Sequence, residues 1–365
     1  MEPNLQNLIN GELNNNIIIL LLFPKIQLKT PLFALIDSLH KFEKKCIRKS
    51  LLLALAVFFL INCVARGEAW TVIKHDGRDY VTAKNIKNFY RFDALNLSNG
   101  SLNFKSSKIN MTIKNGSDNL YINTVLFRLS YKIIQKNGDY LFSRIDLAKL
   151  IDPVLRPSYI KTAKRFNTVI IDPGHGGSDP GSVNRYGKEK DFNLRLAKIL
   201  MKDLERKGFR VRMTRSSDVY PTLGQRVQFA NRIPNAIFVS IHFNSFVSNT
   251  AKGIETYALS PQGSGTHNDR GIRNSFLTGN RRDSENIALA TAVHASVMKK
   301  SQADDRGIKR DRFTVLAGLS MPAILVEGGF LSNPSEAKKI ASSSYLSILS
   351  NGIANGIVTY RNALR

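Results

Sequence analysis

From Thr168 to the C-terminus, short apolar runs of strand length alternate with amphipathic stretches of helix length, and this alternation narrows the fold more than any other feature of the chain. Thr168-Val-Ile-Ile-Asp172 is bounded by Pro-Gly and fits a buried strand. Over Asp191–Lys207, Phe192, Leu194, Leu196, Ile199, Leu200 and Leu204 recur at roughly helical spacing, and Gly208 follows as a stop. Phe209–Thr214, Ala236–His242 and Gly253–Leu259 read as strands, as do the short runs Thr314–Leu316 and Ala323–Glu327. Helices are expected over Leu223–Arg232, from Ser284 to about Ser301, and as a final pair opening at Ser335. The pattern predicts an α/β fold: a mixed, mostly parallel sheet with helices covering both faces. In such sheets, ligands bind beyond the carboxyl ends of the strands.

The residues able to do chemistry fall at those ends. Asp172-Pro-Gly-His175-Gly-Gly follows the first strand, His242 closes the strand before it, and Glu327 closes Ala323–Val326. Glu189 stands where the first helix begins. Two imidazoles and a carboxylate make the His₂Glu set of a catalytic zinc site, and a second carboxylate can serve as base. Taken singly, these residues have plainer readings. A His at a strand end is commonly a satisfied polar residue, and Glu189 beside Lys188 and Lys190 reads as a solvated charge. Spacing alone does not bring 175, 189, 242 and 327 together.

Six blocks in order resemble a known family: Asp172-Pro-Gly-His-Gly-Gly-Ser-Asp179-Pro-Gly181, Gly187-Lys-Glu189-Lys190, Thr214-Arg215-Ser-Ser-Asp218, Leu223-Gly-Gln-Arg226, Ser240-Ile-His242-Phe-Asn244 and Pro322-Ala-Ile-Leu-Val-Glu327-Gly-Gly-Phe330-Leu-Ser-Asn333. Together they are similar to the zinc-dependent N-acetylmuramoyl-L-alanine amidases of the AmiA/AmiB/AmiC and sporulation-lysin type, over about residues 166–361. The resemblance implies Zn²⁺ as cofactor, with His175, Glu189 and His242 as ligands and Glu327 as the catalytic base. It implies hydrolysis of the amide between N-acetylmuramic acid and the L-alanine of the peptidoglycan stem peptide. Asn244 is a candidate for substrate contact, with a structural role as the alternative. Arg226 is expected in a buried ion pair or strand cap, with substrate contact as the alternative. Asp172 and Asp179 are candidates to hold the ligating imidazoles, or simply to cap turns. His267 and His294 match none of the six blocks. Some members of the family carry a helical plug between the strand Gly253–Leu259 and the next helix. Here Ser260–Asp283 is polar and Gly-rich without helical periodicity, so no plug is expected. Gly328 and Gly329 predict a loosened strand end.

Upstream, residues 1–69 read as a leader. Lys44, Lys45, Arg48 and Lys49 precede the apolar run 51–61, and small residues near Ala69 complete the order of a signal peptide. Lipidation at Cys63 is the rival reading. Both cysteines of the chain, Cys46 and Cys63, lie in this leader. Residues 70–155 read as a small β-rich α+β domain with hairpin signals at Asn115-Gly116 and Asn137-Gly138. Within it, Gly77–Ile86 echoes Gly138–Leu147. The echo resembles the small repeat domain first named from the N-terminal region of copper amine oxidases, without a His/Cys cluster for copper. A wall-binding or positioning module and a plain spacer are equal readings of it. Residues 156–165 read as a linker, and 166–365 as the catalytic domain.

The formal net charge of +25 is spread over leader, middle and C-terminal regions alike. Such a field favours an anionic partner. A peptidoglycan substrate in an anionic wall or at a membrane surface accounts for charge, leader and site together. A nucleic-acid partner accounts only for the charge, and none is expected. A zinc peptidase or deacetylase and a non-catalytic wall binder remain as alternatives, the second opposed by the intact His175, Glu189, His242 and Glu327. A monomer in the periplasm or cell envelope, with a role in wall turnover and cell division, is expected.

Overall fold

The computed structural model describes residues 70–364 apart from 270. The h-region 51–61, the cleavage point at Ala69 and the lipidation alternative at Cys63 lie outside the described residues.

The described chain opens with two matching hairpin–helix units. Strands β1 (Val72–His75) and β2 (Arg78–Thr82) turn at Asp76-Gly77 and lead into helix α1 (Ala83–Tyr90), which Thr82 caps by accepting from the Asn85 N–H. Strands β8 (Ile134–Lys136) and β9 (Asp139–Ser143) turn at Asn137-Gly138, both at positive φ, and lead into a helical segment over 144–155. β2 and β9 pair antiparallel, so the two units close into one four-stranded sheet, β1-β2-β9-β8. The sequence echo between Gly77–Ile86 and Gly138–Leu147 is therefore a structural one. Between the units runs a meander: β3 (Ala94–Ser98), β4 (Ser101–Lys105), β5 (Asn110–Lys114), β6 (Asn119–Ile122) and β7 (Val125–Arg128). Alternate residues Leu102, Phe104, Met111, Ile113, Leu120 and Ile122 are buried, the period-two pattern of a sheet with one covered face. Residues 157–159 form a short 3₁₀ turn.

The C-terminal region alternates strands and helices. In order come β10 (Thr168–Pro173), the two-residue strands β11 (Val183–Asn184) and β12 (Gly187–Lys188), α2 (Glu189–Arg206), β13 (Arg210–Met213), α3 (Leu223–Asn231), β14 (Ala236–Asn244) and β15 (Ile254–Leu259). Then follow α4 (Asp283–Ser301), β16 (Asp305–Asp311), β17 (Ala323–Phe330), α5 (Pro334–Ile340) and α6 (Ser343–Ala363). Thr222 and Gln225 form a capping box that starts α3.

The large sheet runs β13-β10-β14-β17-β15-β16-β7-β6-β5-β4-β3. β13, β10, β14 and β17 are parallel neighbours, β15 is antiparallel to β17, and β15 and β16 are parallel. It is thus a mixed sheet, flanked by helices and joined to the upstream meander where β16 meets β7 at Ile308–Phe127. Its C-terminal part is buried on both faces. Val169, Ile171, Val239 and Ile241 pack with α2, α4 and α6, while Ile170, Phe238 and Leu325 pack on the other side with Val315, Leu316 and Leu319. Among the described residues, no helix is long and apolar enough to cross a membrane.

One sequence expectation needs correction, and one strand had no sequence signal. Thr314–Leu316 is helical, part of a short turn over Thr314–Ala317. The strand in this stretch is instead Asp305–Asp311, whose charges hid it. Asp305, Arg306, Lys309 and Arg310 each have a charged or imidazole partner on a neighbouring element, so the middle of the strand is buried despite its composition.

Candidate metal centre and active site

β10, β14 and β17 lie side by side, and their carboxyl ends deliver His175, His242 and Glu327 to one place. His242 and Glu327 are direct register partners. Glu189 arrives as the first residue of α2, where the helix N-terminus favours a carboxylate. His175 Nε2 lies 3.0 Å from Glu189 Oε1, and His242 Nδ1 lies 3.1 Å from the same oxygen. The ligand atoms of His175, Glu189 and His242 all fall within 4.8 Å of one another.

The approach is close enough to require glycine. A Cβ on Gly174 would sit 2.2 Å from the His242 ring, and a Cβ on Gly181 would sit 2.6 Å from Glu189 Oε2. The turn itself falls on His175, whose φ of +60° is uncommon for a residue with a side chain. Two buried arginines hold that turn. Arg226 donates to the Asp172 carboxylate at 2.7 Å, to the Pro173 carbonyl at 2.8 Å and to the His175 carbonyl at 2.7 Å. Arg215 donates to the carbonyls of Pro173, Gly174 and Lys190. The carbonyls of Pro173, Gly174 and His175 thus keep donors while the chain bends, Gly174 sharing Asn193 with Arg215.

The outer contacts fix the inner ones. Asp179 Oδ2 lies 2.8 Å from His175 Nδ1, which leaves Nε2 facing the cluster, and its other oxygen accepts from the Gly181 N–H. Asp172 does not touch an imidazole: Arg226, Ser240 and Thr214 take its carboxylate. Glu189 accepts from the N–H groups of Ser182 and Phe243 as well. Burial would raise its pKa, but bonds from both imidazoles hold it well below the usual carboxylate range. Burial likewise opposes charge on His175, and the Glu189 and Asp179 carboxylates outweigh it, so its pKa is raised.

Glu327 is in the opposite condition. Part of the residue remains exposed, yet its Oε2 is buried with no hydrogen-bond partner. Burial and the nearby Glu189 and Glu255 carboxylates push its pKa well above the ordinary value, with Lys309 opposing them. A buried carboxylate oxygen without a donor, beside three convergent ligand atoms, is the arrangement expected where a cation and a polar substrate belong. The donor set fits a metal ion. Two atoms bound to one tetrahedral zinc at ~2.0–2.1 Å stand about 3.3 Å apart, close to the 3.0 and 3.1 Å seen here.

The remaining candidates lie outside this cluster. The Asn244 amide donates to Glu255 at 3.1 Å, and its oxygen accepts from the Ser245 N–H. His294 is buried between Thr256 and Asp305. His267 donates its backbone N–H to the Arg310 carbonyl. Residues 260–277 carry no helix among those described. Gly328 and Gly329 form a bulge rather than a loose end: the Gly328 carbonyl accepts from Tyr345, and the Phe330 N–H donates to Glu336. Sequence reasoning gave no role to Arg215, Glu255 or Lys309. A lone Glu in the apolar run Ile254–Leu259 was the available signal for the second of these.

Residues 169–359 match the N-acetylmuramoyl-L-alanine amidase family model. The chain is 35% identical over 193 residues to YqiI of Bacillus subtilis (strain 168), covering 53% of this chain and 84% of that one. It is 33% identical over 206 residues to LytH of Staphylococcus aureus, described as a probable cell wall amidase, covering 56% of this chain and 61% of LytH. Among solved structures, it aligns with an N-acetylmuramoyl-L-alanine amidase from Clostridium difficile 630 at 35% identity and TM-score 0.46, covering 55% of this chain and 98% of that one. The catalytic domain of the amidase CwlV from Bacillus (Paenibacillus) polymyxa var. colistinus aligns at 32% identity and TM-score 0.46, covering 54% and 99%. On the family match, together with the 35% identity across most of YqiI, the chain belongs to the N-acetylmuramoyl-L-alanine amidase family.

Proposed function

We propose that this protein is a zinc-dependent N-acetylmuramoyl-L-alanine amidase acting on peptidoglycan, with Glu327 as general base. The observation that carries the reading is the convergence of His175, Glu189 and His242 beside the unpartnered Glu327 carboxylate, in the region that matches the family. His175, Glu189 and His242 would hold the ion. When bound, zinc supplies Lewis acidity toward the amide carbonyl and makes water acidic enough to react near neutrality.

The chain's own residues supply the proton movements. Glu327 accepts a proton from the attacking water as its oxygen bonds to the lactyl carbonyl carbon. It then gives that proton to the alanine nitrogen as the C–N bond breaks, leaving a lactyl carboxylate and a free stem-peptide amine. A carboxylate kept from other donors is free for both transfers. Asp179 keeps His175 in the ring orientation the cluster needs, and Arg226 and Arg215 hold the turn that carries it.

The family and the likeness to LytH support an exported, envelope-located enzyme, with residues 1–69 as the export signal and an anionic wall or membrane surface as its surroundings. The upstream strands β1–β9 are proposed to bind or position the wall substrate.

Incubation with purified peptidoglycan, with mass spectra of the released fragments, tests the activity. Free stem peptides and peptide-less glycan, abolished by chelation and restored by zinc, are expected. Cleavage within the stem peptide or loss of acetate would assign the site to a peptidase or deacetylase instead.

A further inference from the structure

One strand beyond Glu327 lies a charged cluster that the proposed chemistry does not use. In the order β14-β17-β15-β16, Glu255 on β15 is the direct register partner of Glu327 on β17. Glu255 is 2% exposed. Its carboxylate takes four donors: Arg306 Nε at 2.7 Å and Lys309 Nζ at 2.5 Å on one oxygen, the Tyr257 hydroxyl at 2.7 Å and Asn244 Nδ2 at 3.1 Å on the other. Side chains from β14, β15 and β16 thus meet on one carboxylate.

The bond from Asn244 to Glu255 spans the end of β17, because β17 lies between β14 and β15. At that point β17 is irregular. His242 faces Glu327 and Asn244 faces Phe330, so two steps on β14 match three on β17, and Gly328-Gly329 take up the difference. A bulge next to a reacting group re-aims it, and its position must be fixed for that aim to hold. Arg306 closes the clamp by lying 4.8 Å over the Phe330 ring. A buried carboxylate–lysine pair, with the partly exposed Arg306 beside it, is a poor way to gain stability, since apolar residues of similar volume do as well. Its location gives it a better reason.

We propose that Glu255, held by Lys309 and Arg306, is a positioning residue that fixes the end of β17 and with it the reach of Glu327. This rests on the amidase reading. The strand that supplies the two cations is itself held from upstream. Arg310 donates to Ser130, to the Lys149 carbonyl and to Asp146, and the Leu126 N–H donates to Asp305. The clamp on Glu327 is thereby anchored in the N-terminal β-rich region, which gives that region a role in the active site beyond any contact with the wall.

The test uses the full chain carrying Glu255→Gln, Lys309→Met, both together, or Lys309→Arg. The readouts are kcat and KM on a muramyl-peptide, zinc content, and amide hydrogen exchange over 323–330 in the zinc-free protein. The single changes should lower kcat ~10- to 100-fold, the scale that a small misplacement of a reacting group costs. KM should stay within ~2-fold, as for an interaction expressed in the chemical step. Zinc content should be unchanged and exchange at 328–330 faster. The double variant should be no worse than the worse single one, and Lys309→Arg should recover most of kcat. If the buried changes prevent folding, Arg306→Gln, whose side chain is 37% exposed, should give the same pattern more weakly. Folded, zinc-loaded variants with native kcat and native exchange would overturn the proposal. Absence of cleavage by the unaltered chain would overturn the amidase reading instead, and exchange would still judge the clamp.

Discussion

The two halves of the large sheet spend their residues differently. Over β4, β5 and β6, buried apolar residues alternate with more exposed ones, β7 adds the buried run Val125–Phe127, and among the described residues that stretch gathers no metal-ligating cluster. From β10 to β17, buried positions are given to Asp172, Glu189, Arg215, Arg226, Glu255, Lys309 and Arg310. Burying charge is costly unless every group is paired or hydrogen-bonded; six of these have a charged or imidazole partner, and Arg215 is held by backbone carbonyls. The upstream half is built for packing. The downstream half gives up apolar packing to hold one histidine turn and one glutamate at fixed places. The two meet at β16 and β7, where the downstream charges reach across to Asp146 and Leu126.

If that contrast is right, equal damage to the two halves should have unequal effects. Arg226→Met removes the partner of the buried Asp172, each side chain being 2% exposed. It should destabilise the protein by ~3–5 kcal/mol in urea unfolding, the usual loss for half of a buried ion pair. It should also reduce turnover in the folded fraction, because the His175 carbonyl loses its donor. Asp179→Asn leaves the fold intact but weakens the hold on His175. Zinc affinity or activity should drop ~10- to 100-fold, as for other outer partners of ligating imidazoles, read by competition with a chelator.

At the seam, burial raises the Asp305 pKa, but bonds from His294 and from the Leu126 and Gly307 N–H groups more than offset it, leaving it lowered. A carboxyl with a depressed folded pKa stabilises above its unfolded value of about 3.9 and loses that contribution as pH falls through the folded value. Asp305→Asn should therefore cost ~1.5–3 kcal/mol at neutral pH, the range for hydrogen bonds to a charged group. The gap from the native protein should close below about pH 4, which denaturation across pH 3–7 would show. In the meander, Ile113→Val on β5, five strands along the sheet from β17, should cost only ~0.5–1.5 kcal/mol. Its kcat should be native; a kcat that fell with it would erase the contrast between the halves.

Much of this was readable in the sequence, and the exceptions share one cause. Apolar periodicity gave α2, Ser284 marked the start of α4, Ser335 that of the closing pair of helices, and Asn137-Gly138 gave its hairpin. β16 was not readable, since Asp305-Arg-Gly-Ile-Lys-Arg-Asp311 has the composition of a surface loop. It becomes a buried strand only through Glu255, Asp146 and His294, which lie 54, 164 and 11 residues away from their partners in the chain. The site behaved likewise. Nothing in the spacing of 175, 189, 242 and 327 joins them, and the ordered blocks carried the inference by resemblance. Arg215 and Glu255 stayed silent because their partners are backbone carbonyls and distant charges.

The central claim is that Glu327 moves the proton while His175, Glu189 and His242 hold the metal. It is tested most directly by Glu327→Gln, with zinc content and turnover of peptidoglycan fragments measured on one preparation. Native zinc content and turnover reduced at least ~100-fold, the scale of a general base, are expected. Zinc-loaded Glu327→Gln turning over at the native rate would contradict it.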